Sequence, residues 1–326
     1  MADYDIRPFR DGDQDSLLET FNLVFAETGL PARSMEQWRW AYEENPSGKR
    51  IFVAVNEGRV VAQYAGMPGR IRFEGRERHF IDIVDSMVHP DHRRGLKRPG
   101  LFIKTAQPFL EEYGREDRDL AFYGWPIEKA WPINKRFLGY QQVRSESVLG
   151  RPVGGGPTEL PDGVRELEDF DGVADLYERC ARDWELAFVR DAAFVRWRYQ
   201  TNPFHRYVVL GVEQPDGGLA GYAVYRPTSV DAPETALLVD LLVPPDAPEV
   251  AEALQRAVLA LARRDGAPGI ATLQVEWTPW FRRFQEWGWS VWPSEWIMVA
   301  SLFHPRLDPV WMRHHWWYQM GDLDVV

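Results

Sequence analysis

Two stretches of alternating apolar and polar positions lie in the same surroundings. "IFVAVNEGRVVAQYAG" (51–66) alternates around Asn56-Glu57-Gly58, and "YVVLGVEQPDGGLAGYAVY" (207–225) around Pro215-Asp216-Gly217-Gly218, so each predicts a β-hairpin. Before each hairpin come a strand-like run (5–9; 164–167) and helical periodicity beginning near Asp15 and near Gly172. After each come a proline-terminated strand, a helix, another strand and a glycine corner. The helices are predicted over about 101–113 and 248–264, the second stopping before Gly266 because a left-handed glycine suits a helix end.

The shared order is an internal repeat, and three landmarks carry it. "RWAYEENP" (39–46) returns as "RWRYQTNP" (196–203), 157 residues on. "DSMVHP" (85–90) returns as "DLLVPP" (240–245) after 155, and Gly139-Tyr140 as Gly288-Trp289 after 149. A spacing that drifts this slowly is what loop-length differences between two copies of one fold produce. The expected architecture is α/β (α+β), two tandem folds, each a mixed, mostly antiparallel twisted sheet flanked by helices. The expected division is 1–150, a Gly/Pro-rich linker over 151–163, and 164–326, since the linker composition opposes a helix or a central strand.

Composition fits this picture. The 326 residues suffice for two domains, and 45% apolar with 27% charged residues is ordinary globular usage. No run reaches the roughly 18 apolar residues of a membrane span, and the acidic start is unlike a secretion signal, so the expectation is a cytoplasmic protein without a membrane partner. The single Cys180 cannot make an internal disulfide and reads as a small buried hydrophobe. A net charge of −11 repels phosphate backbones and disfavours nucleic acid as a partner, and it suits a cationic small molecule such as an amine.

The first half resembles the GNAT (Gcn5-related N-acetyltransferase) superfamily over residues 3–145. Its "HFIDIVDSMVHP" strand and the following "DHRRGLKRPGLFIKTAQPFL" are similar to that family's fourth strand, pyrophosphate loop and helix. The resemblance implies acetyl-CoA or another acyl-CoA as co-substrate, lying where the fourth and fifth strands splay. It implies that the backbone of Met87 and Val88 receives the thioester and pantetheine arm, and that Arg93, Arg94, Gly95, Lys97, Arg98 and Gly100 hold phosphate. Amide groups at a helix start form an anion cradle, and four cations within six positions suit it in an acidic protein. The loop is longer than the family's pattern. The matching stretch of the second half, Pro244–Glu249, has neither glycine nor cation, so that copy is expected to have lost the donor site.

Attack of an amine on a thioester needs a base, an oxyanion donor and a proton for the leaving thiolate. Counting back from Arg93, Asp82 falls at the family's general-base position on the fourth strand. Asp85 is the alternative, but it recurs as Asp240 in a copy that cannot bind the donor, which points to a role in the fold. The same reasoning assigns Trp40, Tyr42 and Asn45-Pro46 to core and turn. The family's usual tyrosine is replaced by Lys135, so the acid is left between Tyr123, Tyr140, the C-terminal tail and water. That tail, "DPVWMRHHWWYQMGDLDVV", is too apolar to hang free. It either returns to the first site, bringing His314, His315, Tyr318 or Asp322, or docks on the second domain. Trp125, Trp131, Trp277 and Trp280 are either cleft edges or core. His89 and His92 have a metal-like spacing without a third ligand, and no metal is expected.

The expected function is an N-acyltransferase, an acetyltransferase first, acting on the amine of a small molecule by direct attack. The alternatives are a carrier-protein or aminoacyl-tRNA donor, or a non-catalytic binding module. The sequence leaves the oligomeric state open.

Overall fold

The computed structural model describes residues 3–29, 31–93, 99–215, 217–228, 234–292 and 294–324. In chain order the first elements are β1 (Asp5–Pro8), α1 (Gln14–Ala26), α2 (Met35–Tyr42), β2 (Arg50–Asn56), β3 (Arg59–Phe73), β4 (Arg76–Val88), α3 (Leu101–Tyr113), β5 (Asp119–Gly124), α4 (Trp131–Phe137) and β6 (Gln141–Ser145). There follow β7 (Val148–Pro152), β8 (Val164–Glu166), α5 (Val173–Cys180), β9 (Leu186–Phe188) and α6 (Ala192–Val195), which runs into a π-helical turn at Arg196–Gln200. Then come β10 (Val208–Glu213), β11 (Leu219–Arg226), β12 (Thr235–Leu242), α7 (Pro248–Arg264), β13 (Gly269–Leu273), α8 (Pro279–Glu286) and β14 (Ser290–Trp292). The last elements are β15 (Ile297–Leu302), α9 (Pro309–His315) and β16 (Trp316–Trp317).

Local chemistry explains the boundaries. Ser34 accepts from Gln37 N while the Gln37 side chain returns to Ser34 N, a capping box that starts α2. Asp191 does the same work for α6 by accepting from Phe194 N at 2.8 Å. Pro248 opens α7, where its missing N–H costs nothing, and Ala251, Leu254, Ala257, Val258 and Leu261 recur on the face it buries. The glycine corners are helix ends: Gly139 and Gly288 have φ of 70° and 86°, and Trp289 N reaches back to Phe284 O at 3.0 Å.

The two sheets have one topology. The first runs β1-β2-β3-β4-β5-β15-β6, and the second β8-β10-β11-β12-β13-β7-β14. The pairs β4–β5 and β12–β13 are parallel, each spanned by the helix α3 or α7 as parallel pairs require, while the neighbouring hairpins are antiparallel. The mixed, mostly antiparallel α/β architecture expected from the sequence is therefore present in both.

The chain does not divide at a single cut. One compact unit comprises Met1–Arg70, Glu77–Arg144 and Ile297–Val310; the other comprises Ile71–Arg76, Ser145–Trp296 and Trp311–Val326. Strand β15, late in sequence, thus belongs to the first unit, beside β5, while β7 lies inside the second sheet between β13 and β14. Strand β7 runs two residues into the expected 151–163 linker, through Arg151 and Pro152. Gly150 is tolerated there because Trp292 occupies the space a side chain would need.

Each unit has its own core. Under α3, Ile103, Ala106 and Phe109 pack on Phe52, Tyr64, Ile81, Phe122 and Val299. Under α7, Leu254, Val258 and Leu261 pack on Leu210, Ala223, Leu238, Ile270 and Leu149. Both cores therefore include a strand contributed by the other half of the sequence.

Candidate active site

In the first unit β4 and β5 pair in parallel from His79/Asp119 to Asp82/Tyr123. Beyond that pair β5 ends at Gly124 while β4 continues to Val88, and among the described residues no β5 pairing extends past Asp82. The two strands thus part at Asp82, leaving one edge of β4 from Ile83 to Val88 without a β5 ladder. Backbone N–H and C=O groups on such an edge need partners, and an extended amide-bearing ligand can supply them.

Two glycines shape this point. A Cβ at Gly66 on β3 would come 2.7 Å from the Asp82 carbonyl, and one at Gly124 would come 3.3 Å from Asp82 Oδ1. Both positions let neighbouring strands close on Asp82 itself. Ile81 and Phe122 face the α3 core, so Asp82 and Tyr123, one residue further along each strand, point to the opposite face together. Both are buried, Asp82 at 4% exposure and Tyr123 at 2%.

A second pair of groups lies close by. Tyr64 and Tyr140 share a hydrogen bond at 3.0 Å, and both are buried. Burial raises the pKa of each, and for Tyr140 the nearby Tyr64 and Asp82 raise it further. Both phenols therefore stay protonated through the neutral range and act as hydrogen-bond donors.

Asp85 has a different environment. Its φ is 55°, a left-handed value that an ordinary residue adopts in a strand only when the surroundings enforce it. The enforcement is visible: Tyr42 Oη donates to its carboxylate at 2.6 Å, Arg33 pairs with the same oxygen, and Gln63 Nε2 donates to its backbone oxygen at 2.9 Å. The second unit repeats the set. Asp240 accepts from Tyr199 at 2.9 Å, Tyr222 at 3.0 Å and Arg190 Nε at 2.8 Å, and β12 carries a register irregularity beside it. Arg33 and Arg190 stand 157 residues apart, as Tyr42 and Tyr199 do. The repeat in the sequence preserves an Arg-Tyr-Asp lock, and the same 157-residue spacing marks Arg33 and Arg190 as its arginines.

The residues expected near the donor phosphates are divided. Arg93 is engaged within the protein, donating from Nε to Val88 O at 2.8 Å and pairing with Glu27 at 3.0 Å. Gly100 is exposed at the start of α3, no side chain caps that helix, and a Cβ there would meet nothing within 4 Å. Arg94, Gly95, Lys97 and Arg98 lie outside the described residues. Met87 and Val88 are buried on β4, Val88 against Leu101 and Ala62. Lys135 is an exposed residue of α4, 5.8 Å from the Trp131 ring centre, so the position of the missing tyrosine is filled by a surface cation.

The tail residues pack in the second unit. Asp322 makes a two-point contact with the buried Arg190, at 2.7 and 2.8 Å. Tyr318 Oη donates to Glu146, and Trp316-Trp317 pair with β9. Of the two placements open from sequence, Tyr318 and Asp322 take the docked one, because Arg190 needs a second carboxylate to balance its burial. His315 binds Trp311 O at 2.7 Å and faces Glu185. Trp280 is core, and Trp131 leans on the α3 cluster. His92 is bonded to Tyr4 and His89 to Asp91 N, and among the described residues no group of three potential metal ligands occurs. Nor is any described helix long and apolar enough to cross a membrane.

Residues 5–142 match the family model described as an acetyltransferase (GNAT) domain. No curated protein sequence matches. Among solved structures, a probable N-acyltransferase from Enterococcus faecalis superposes with a TM-score of 0.64 at 14% identity, covering 92% of this chain and 73% of the other. The N-myristoyltransferase of Saccharomyces cerevisiae with bound myristoyl-CoA gives 0.59 at 15%, covering 95% and 84%. A GCN5-related N-acetyltransferase from Anabaena variabilis gives 0.61 at 14%, covering 91% and 72%. At these identities the structural likeness speaks for the fold, and the family match speaks for the first unit. The chain carries a GNAT acetyltransferase domain over residues 5–142.

Proposed function

We propose that this protein is an N-acyltransferase that moves an acyl group from acyl-CoA to the amine of a small molecule by direct attack. One observation carries the reading: β4 and β5 part beside a buried carboxylate, Asp82, at the place where a thioester needs an amine deprotonated. The open edge of β4 from Ile83 to Val88 would take the amides of the pantetheine arm, and the uncapped start of α3 at Gly100 would face its phosphates. The resemblance in sequence adds the cations Arg94, Lys97 and Arg98 and the glycine Gly95 to the phosphate-binding set, all outside the described residues.

In this reading Asp82 accepts a proton from the incoming ammonium, the neutral amine attacks the thioester carbonyl, and the tetrahedral oxyanion is met by β4 backbone N–H near Met87. Collapse expels the thiolate, and the remaining extra proton of the attacking nitrogen passes to it through Tyr123 or water, leaving the neutral amide and the free thiol. Asp85 holds β4 in its kinked path and takes no proton. Acetyl is the expected acyl group. The likeness to a protein holding myristoyl-CoA makes longer chains the first alternative.

Calorimetric titration with acetyl-CoA and with myristoyl-CoA tests the donor. The reading expects saturable binding that Arg94→Ala together with Lys97→Ala weakens at least tenfold. Absence of binding by either thioester would overturn it. Release of free thiol across a panel of amines then identifies the acceptor.

A further inference from the structure

Helix α4 stands on the donor face of the first unit with most of its surface uncovered. Trp131, its first residue, packs against the cluster that also receives Phe102 from the first turn of α3 and Ile83 from the open edge of β4, so α4 flanks the gap where β4 and β5 part. No residue of α4 is buried. Of the six large apolar side chains exposed among the described residues, three lie within the stretch 127–137: Ile127 at 72%, Ile133 at 39% and Phe137 at 46%. Ile133 and Phe137 are one helical turn apart and share a face. Single apolar side chains are ordinary on a surface, but a group of them marks an interaction site.

The charge of this stretch is also unlike that of the whole chain. Lys129, Lys135 and Arg136 are exposed, and among the described residues no carboxylate pairs with any of them. Lys135 and Arg136 lean instead on the rings of Trp131 and Phe137, at 5.8 and 5.3 Å. With three cations against the single carboxylate of Glu128, residues 127–137 carry a net charge of +2 in a chain of −11. A nucleotide would engage the cations and leave the apolar side chains in water. A protein surface that presents carboxylates around an apolar patch covers both.

We propose that α4 docks an acidic carrier protein, which delivers the acyl group on its own phosphopantetheine arm. The inference rests on the donor reading above, since the arm enters the gap between β4 and β5 whether a nucleotide or a protein holds its far end. Ile127, Ile133 and Phe137 meet the carrier's apolar side chains, and Lys129, Lys135 and Arg136 meet its carboxylates. The chemistry is unchanged: the C–S bond breaks and the C–N bond forms. One proton of the ammonium goes to Asp82 and a second to the thiolate, and the carrier leaves as the free thiol. A contact of this size is weak and salt-dependent, which suits a partner that must dissociate after each turnover.

The test uses the intact chain with a bacterial acyl carrier protein as probe: its acetylated form against acetyl-CoA as donor, and its apo form, which lacks the arm, for binding by fluorescence anisotropy. At low salt the acetylated carrier is expected to react with a kcat/KM about tenfold above that of acetyl-CoA, and to lose that advantage as salt rises. Lys129→Glu with Arg136→Glu is expected to lower the carrier's kcat/KM about tenfold and to leave that of acetyl-CoA within about twofold. Phe137→Ser is expected to weaken apo-carrier binding several-fold. Three results overturn the proposal. The first is charge reversal that leaves the carrier reaction unchanged. The second is an equal loss with both donors, which would assign the cations to nucleotide phosphate. The third is a dimer by light scattering that Phe137→Ser dissociates, which would make a second copy the occupant. If neither thioester is a donor, the acyl-transfer reading fails and the apo form alone decides the docking: binding that the charge reversal abolishes supports it, and no binding overturns it.

Discussion

Tyr42 Oη stands 2.6 Å from Asp85 Oδ2, and this contact has a twin in Tyr199 and Asp240 at 2.9 Å. The duplicated pair sets Asp85 apart from Asp82, three residues earlier on β4. Asp85 is held by an arginine and a tyrosine in a way the second copy repeats at Asp240, whereas the position matching Asp82 in that copy is Leu237.

Asp85→Asn is therefore expected to act on stability. It keeps a hydrogen bond to Tyr42 but loses the charge facing Arg33, a cost of about 1–3 kcal/mol. Urea unfolding should show this loss while kcat per folded molecule falls less than tenfold. A fall in kcat with unchanged stability would move the base to Asp85.

Asp82→Asn is expected to do the reverse. Turnover should fall roughly 10² or more, because a positioned base contributes at least that much, while acyl-CoA affinity and unfolding midpoint stay near their starting values. The split between kcat and donor Kd is the readout, and an unchanged kcat would remove Asp82 from the mechanism.

The Asp322→Asn substitution should be among the most damaging single changes in the second unit. It halves the carboxylate partners of a fully buried arginine, and breaking such a pair costs about 3–5 kcal/mol. Differential scanning calorimetry checks it, and a change in Tm of less than a degree or two would show that the tail does not hold the unit together.

His205 predicts a pH dependence. Its folded pKa lies near 4, held down by burial and by Arg226 and Arg198, against 6.5 for the unfolded side chain. Between those values the unfolded chain takes up a proton that the folded one refuses, so stability falls as pH drops below about 6.5 and the loss continues to about 4. His205→Gln should flatten the Tm profile across that window. An identical slope in both proteins would assign the dependence to other groups.

Fragments test the exchanged strands. A protein ending at residue 150 lacks β15, so β5 and β6 would face a gap in mid-sheet, and it should be unfolded or aggregated by circular dichroism and light scattering. Fusing residues 297–310 after a flexible linker should restore a cooperative transition. A well-folded 1–150 fragment would show that the strand is dispensable.

Periodicity and the repeat made much of this fold legible. The hairpins, α3, α7 and the glycine corners follow from local rules that tertiary contacts did not override. The ownership of β7 and β15 was not legible, because a short apolar run carries no mark of which sheet will accept it, and Arg151-Pro152, inside the expected linker, end β7 instead. At the candidate site, Asp82 comes from the family resemblance, by counting back from Arg93, and its role is part of the proposal, while the Tyr64–Tyr140 pair was missed because two residues 76 positions apart meet only across the folded sheet. Arg33 was within reach: the spacing that matched Tyr42 to Tyr199 also matches it to Arg190.

The exchange of strands also imposes an order of events on synthesis. The first sheet has its edge at β5 from the time residue 124 emerges, yet the strand that covers it ends at Leu302. At roughly 5–20 residues per second, the interval between Ser145 and Leu302 is about 8–30 seconds. For that time a nascent chain carries an open strand edge in its oldest part, and its first half waits on its last elements before it can close.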